Sequence, residues 1–172
     1  MVNNTVQQML IDAQAIRFGD FTLASGKKSS VYIDIKQAMT EPDILKAVAE
    51  SIANLDIDWD IAAGVAVGGV PLAVAASLQT KKPYIIIRKE KKEHGLSSVI
   101  IGAIKGKKAL MIEDVTTSGG SALYGVEQIR EAGGNIDTII SVVDRDEGAI
   151  ETLANAGIRL IPLIRMNDIV PK

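Results

Sequence analysis

Ala109-Leu110-Met111-Ile112-Glu113-Asp114-Val115-Thr116-Thr117-Ser118-Gly119-Gly120-Ser121 joins several signals in one unbroken run. Residues 109–112 form a short apolar run, the pattern of a strand covered on both faces. Two adjacent carboxylates, Glu113 and Asp114, close it. Six small residues then run from Thr116 to Ser121, among which Gly119 and Gly120 let main-chain N–H groups turn inward as an anion-binding nest. Beyond them Leu123, Val126 and Ile129 are spaced as one face of a helix over 122–132 that stops at Gly133-Gly134. A strand, a small-residue loop and a helix N-terminus in that order aim loop amides and the positive end of the helix dipole at one bound anion. The carboxylates fall at the carboxyl end of the strand, where open α/β sheets carry their sites. Beside such a cradle they repel a bare phosphate, so their targets are hydroxyls or a magnesium ion on the same ligand, and a phosphorylated sugar offers both. The competing reading is a turn whose Thr, Ser and Gly only cap the helix. Capping accounts for one or two of them, not for six behind an acidic pair.

The composition around this stretch is that of one globular domain. The 172 residues are 47% hydrophobic with five prolines, which excludes a disordered or low-complexity chain. A net charge of −2 argues against a general nucleic-acid or membrane-surface binder. Aromatic residues at 3% leave few stacking platforms for single strands. The absence of cysteine excludes disulfides, Cys-ligated zinc and a Cys nucleophile, and suits a reducing compartment. The first residues have neither a basic n-region nor an apolar h-region, so a cytoplasmic location is expected. Residues 61–80 carry no charge, are long enough to span a bilayer and place Gly64 and Gly68 at the spacing of a membrane-helix dimer motif. Gly68-Gly69 and Pro71 interrupt them, and a strand over 61–67, a tight loop and a helix beginning near Pro71 explain all three features. No membrane partner is expected.

Val6, Met9, Leu10, Ala13 and Ile16 make one face of a helix over 6–16, ended by Arg17-Phe18-Gly19-Asp20. Residues 21–34 read as a hairpin with basic residues near its tip. Thr40 is the candidate N-cap of a helix with Pro42 in its first turn and acidic residues near its positive end. Apolar strands follow over 84–87, 98–101, 138–143 and 158–163, with a short helix over 147–156. Arg88 to Gly95 is the densest charge run and by itself reads as a solvated loop. Asp144-Arg145-Asp146-Glu147-Gly148 fails as a calcium loop for want of its later ligands, and on the residues alone Arg145 pairs with a neighbouring acid. Residues 102–108 fail as a P-loop by spacing, and no G-x-G-x-x-G follows the first sheet strand. The alternation of strands and helices predicts an α/β fold, a parallel sheet flanked by helices, with residues 1–40 as a small N-terminal hood on a sheet core of residues 41–172 in a single domain.

The stretch at 109–121 resembles the phosphoribosyl-pyrophosphate motif of the type I phosphoribosyltransferases. Phe21-Thr22-Leu23-Ala24-Ser25-Gly26, followed by Ser29 and the aromatic strand at Tyr32, resembles the N-terminal signature of the orotate phosphoribosyltransferases. It has Ala24 where many bacterial members have Lys, and Tyr32-Ile33 in place of an aromatic pair. Gly68-Gly69-Val70-Pro71 resembles the family's pyrophosphate loop, with Gly68 where some relatives have Lys. Arg88-Lys89-Glu90, Lys92 and His94-Gly95 are similar to its catalytic loop, and Asp144-Arg145-Asp146-Glu147 to a segment whose Arg contacts orotate. The resemblance implies the type I phosphoribosyltransferase fold, transfer of ribose 5-phosphate from phosphoribosyl pyrophosphate to orotate, magnesium held mainly through substrate oxygens with no protein metal site, and a homodimer with shared active sites. It makes Lys92, His94, Glu113 and Asp114 catalytic. It assigns phosphoribosyl pyrophosphate to Arg88, Lys89, Lys92, His94, Glu113, Asp114, Val115, Thr116, Thr117, Ser118, Gly119, Gly120 and Ser121, and orotate to Thr117 and Arg145. Two alternatives stay open: the same fold acting on another base, and a regulatory nucleotide- or RNA-binding protein on the same scaffold.

Overall fold

Val6 and Leu10 bury one face of α1 (Asn4–Asp12), which ends earlier than its apolar spacing predicts because Gln14 takes a positive φ of 60°. The chain then enters β1 (Ile16–Thr22), which pairs antiparallel with β2 (Lys28–Ile33) in a separate two-stranded sheet. Residues 17–20, expected to end the helix, thus belong to a strand. The computed structural model describes residues 4–22, 26, 28–89 and 99–169. Asp34 caps α2 (Ile35–Ala38) by accepting from the Gln37 N–H. α3 (Pro42–Ala53) begins with Glu41 at its N-cap, without a side-chain bond. Thr40 lies one residue too early to cap it and donates to the Gln37 carbonyl at 2.7 Å instead.

The sheet core follows as β3 (Ile61–Val65), α4 (Gly69–Thr80), β4 (Tyr84–Ile87), β5 (Ile100–Ile101), β6 (Lys108–Thr116), α5 (Gly120–Glu131), β7 (Asn135–Asp144), α6 (Ala149–Asn155), β8 (Arg159–Arg165) and α7 (Met166–Ile169). Its strand order is β5-β4-β3-β6-β7-β8, parallel throughout except for the short antiparallel edge strand β5. The predicted parallel α/β sheet with an N-terminal hood is what the chain forms. The period of two along β6 sorts its side chains onto two faces. Leu110 and Ile112 join the core under the hood, α3 and α4, whereas Ala109 and Met111 join the core under α5 and α6. Continuing that alternation, Asp114 falls on the hood side and Glu113 on the α5 side of the same strand.

Two glycines let α4 sit directly on the sheet. A Cβ on Gly64 would stand 2.3 Å from the Gly69 carbonyl oxygen, closer than real atoms come, in a strand that is buried at all five positions. A Cβ on Gly68 would stand 2.4 Å from the Asp114 carboxylate. The loop after β3 is therefore pressed against the acidic pair at the carboxyl end of the central strand.

Candidate active site

The loop between β6 and α5 makes a cavity of about 100 Å³ lined by Glu113 and residues 115–122. At about 30 Å³ per water molecule that is room for roughly three waters, the scale of one phosphate group. Gly119 takes φ 88° at the N-cap of α5, and no side chain caps the helix. Its first amides are thus left for a bound anion, at the positive end of the dipole. The carbonyls that an anion would meet unfavourably are engaged elsewhere. Thr116 C=O accepts from the Arg145 N–H at 2.9 Å and Thr117 C=O from the Ala149 N–H at 3.0 Å. Thr117, Ser118, Gly120 and Ser121 are exposed along the cavity, while Gly119 is buried where a Cβ would press on Ala149.

The Thr116 side chain turns into the sheet. It is buried, and its hydroxyl reaches Asp144 Oδ1 at 2.9 Å and Ser141 Oγ at 3.2 Å. What Thr116 offers the cavity is its main chain. Asp144, wholly buried, has its carboxyl pushed above the usual range by desolvation, an effect the Thr116 hydroxyl opposes. This buried link ties the cradle to the end of β7, and so to Arg145.

Glu113 is 4% exposed and Asp114 6%. Burial first, then the Asp114 charge, push the Glu113 carboxyl from an ordinary 4.5 up to about 8, against the pull of Lys89 and Lys36. Glu113 Oε1 is buried and has no hydrogen-bond partner among the described residues. Asp114 Oδ2 forms an ion pair at 2.9 Å with Lys36 of α2, whose side chain is 65% exposed. Asp114 in turn raises the Lys36 ammonium. The hood thus supplies a cation to the acidic pair, a contact that the sequence pattern did not single out. Asp34 as an N-cap, with Lys36 two residues on, was its one local signal.

Arg88 and Lys89 follow β4 at the same end of the sheet, half-buried and exposed respectively. Arg145 Nε pairs with Glu147 Oε1 at 2.9 Å, which realises the ion pair expected from the residues alone, and the Arg145 main-chain N–H joins it to the cradle at Thr116. Asp146 is held by Arg165, whose Nε donates at 2.8 Å, and accepts the Asn167 N–H at 2.9 Å, so the segment after β7 is pinned to β8 and α7. Lys92, His94, Ala24 and Ser25 lie outside the described residues. No group of three or more His, Asp or Glu side chains that could hold a metal ion occurs among the described residues. No helix among them is long and apolar enough to cross a membrane.

A cradle for one phosphate beside two buried carboxylates, with cations at its rim, suits a phosphorylated sugar. Comparison with known proteins agrees. The family model described as a phosphoribosyl transferase domain matches residues 34–157. An orotate phosphoribosyltransferase of Methanospirillum hungatei is 61% identical over 170 residues, covering 99% of each chain. The crystal structure of orotate phosphoribosyltransferase from Aeropyrum pernix superposes with a TM-score of 0.82 at 33% identity, covering 95% of this chain and 94% of that one. A Mycobacterium tuberculosis orotate phosphoribosyltransferase in complex with 5-phospho-α-D-ribosyl 1-diphosphate gives a TM-score of 0.78 at 25% identity, covering 95% and 96%.

Proposed function

Since the chain belongs to the phosphoribosyl transferase domain family, and within it to the orotate phosphoribosyltransferases, we propose that it transfers the ribose 5-phosphate group of phosphoribosyl pyrophosphate to orotate, giving orotidine 5′-monophosphate and pyrophosphate. The observation that carries this reading is the phosphate-sized cavity at the uncapped N-terminus of α5, walled by the buried Glu113. Amides and hydroxyls of Thr117, Ser118, Gly119, Gly120 and Ser121 hold the 5′-phosphate. Glu113 and Asp114 accept from the ribose hydroxyls, and the buried, unpartnered Glu113 Oε1 is an acceptor waiting for such a donor. Arg88, Lys89, Lys92 and His94 take the pyrophosphate. Arg145 and Thr117 orient orotate, the base's carboxylate replacing Glu147 as partner of the guanidinium.

The reaction is a displacement at C1 of the ribose. The C1–O bond to pyrophosphate breaks as the bond to the pyrimidine nitrogen forms, through a loose, oxocarbenium-like transition state. No side chain acts as nucleophile. Negative charge grows on the leaving oxygens, and cations closing on them stabilise that state more than the ground state. Magnesium would be held mainly through substrate oxygens, with the Glu113 and Asp114 carboxyl groups as the hard oxygen donors that the described residues offer it. Its chemistry there would be to neutralise the pyrophosphate charge. The chain works as a homodimer with shared sites, in the cytoplasm, in the de novo synthesis of UMP, with no nucleic-acid or membrane partner.

The test is the loss of orotate absorbance on adding phosphoribosyl pyrophosphate and magnesium to the purified protein, with uracil, adenine, hypoxanthine and xanthine in parallel. Orotate alone is expected to react. Turnover of another base would leave the phosphate and ribose assignments standing and overturn that of Arg145. No turnover of any base would favour a regulatory role on this scaffold.

A further inference from the structure

One side-chain hydrogen bond joins the phosphate cradle to the exit of β4: Tyr124 Oη donates to the Arg88 carbonyl oxygen at 2.8 Å. Tyr124 stands on α5, one turn beyond Gly120, half-buried and packed against the core on that face of the sheet. The other main-chain group of Arg88 is held as well, its N–H donating to the Val99 carbonyl at 2.9 Å. Arg88 therefore leaves the sheet with both polar main-chain groups satisfied, one by the returning chain and one by the helix whose first turn lines the cradle. The exposed Lys89 comes next and acts electrostatically on Glu113 across the site.

We propose that Tyr124 is a positioning residue for the diphosphate half of the substrate, fixing Arg88 and Lys89 at a set distance from the 5′-phosphate cradle. The inference rests on the transfer reaction proposed above. The ribose fixes the separation between the two anionic ends of phosphoribosyl pyrophosphate, so cations for the second end are useful only at a matching distance from the first. A single rigid helix that presents amides to one phosphate, and one turn later a donor to the anchor of the cations, sets that distance. Long Arg and Lys side chains lose conformational entropy on binding, and a fixed main chain reduces the loss. Without the hydroxyl, the half-buried Arg88 carbonyl loses its partner and the segment can shift toward water.

Tyr124→Phe keeps the ring packing and removes only the donor. Wild type and variant are compared for kcat, for KM of each substrate, and for inhibition by pyrophosphate and by ribose 5-phosphate. Losing one hydrogen bond predicts about three- to tenfold weaker pyrophosphate inhibition and a similar rise in the KM for phosphoribosyl pyrophosphate. Ribose 5-phosphate, which needs only the cradle and the acids, should inhibit both proteins equally. Because the bond is to the Arg88 main chain, Tyr124→Phe in an Arg88→Ala background should lose the part of its effect carried by the guanidinium and keep the part carried by Lys89. Equal pyrophosphate inhibition in variant and wild type overturns the inference. So does a loss shared equally by pyrophosphate and ribose 5-phosphate, which marks a general packing role. A wild type that turns over no orotate overturns the parent reading and this inference with it, whereas an active wild type beside an unaltered Tyr124→Phe overturns the inference alone.

Discussion

Burial denies Glu113 its charge at neutral pH, and that has a consequence for stability. Its folded pKa of about 8 lies above the ordinary 4.5, so between those values the native state binds a proton that the unfolded chain has released. Stability must then fall as pH rises through that window, reaching its full loss above the folded value. Glu113→Gln is neutral at every pH and removes this term. In chemical denaturation the variant should gain on wild type from pH 5 to 9, by on the order of 4 kcal/mol over that range, while losing most of its transferase activity. Parallel curves for the two proteins would place the proton elsewhere. The acidic pair itself was legible in the sequence from its position behind an apolar strand. Its environment was not: no spacing rule connects residue 36 to residue 114, and the Lys36–Asp114 ion pair exists because β6 alternates faces and the hood covers one of them. Thr116 shows the same limit, since a threonine in a phosphate loop reads as a ligand until the strand is found to continue through it to a buried Asp144.

At the scale of elements, the junction of β3 and α4 is the tightest main-chain approach around the site. A methyl at Gly64 would meet the Gly69 carbonyl, main chain on both sides, with no flexible side chain to give way. Gly64→Ala should cost about 1–3 kcal/mol, the range for overpacking a fixed core, read as a lower urea midpoint with an unchanged slope. It should also raise the KM for phosphoribosyl pyrophosphate, because the displaced loop carries Gly68 against Asp114. A midpoint equal to wild type would mean that α4 can slide on the sheet. The buried strands β3, β4, β6 and β7 were visible as apolar runs because both their faces are covered. β1 was read only at its end, Phe21 and Thr22, since most of its side chains are exposed and its order comes from pairing with β2. Its side chains meet mostly within the exposed hairpin, Arg17 over the Phe21 and Tyr32 rings, and such contacts leave no hydrophobic period to read. The helix start was displaced from Thr40 for a related reason: Asp34 begins the separate short helix α2, and its end takes up the Thr40 hydroxyl.

At the scale of the whole molecule, the proposed division of labour between two copies makes a quantitative demand. Lys92→Ala disables the pyrophosphate cations, and Arg145→Ala disables the base site, so each homodimer should be nearly inactive while keeping its fold. If Lys92 serves the neighbouring subunit's site, a heterodimer of the two variants collects both lesions in one site and leaves the other intact. Random exchange at equal concentrations makes half of the dimers mixed, each with one of two sites whole, so activity should recover to about a quarter of wild type in a closed two-fold dimer. The recovery should grow on the timescale of subunit exchange and vanish if the proteins are mixed only at the moment of assay. Were Lys92 to serve its own subunit, one half of each mixed dimer would carry each lesion and no recovery would appear, although sedimentation would still report a dimer. A chain that sediments as a monomer and still turns over orotate would remove the shared site altogether and return Lys92 to the subunit that carries Arg88 and Glu113.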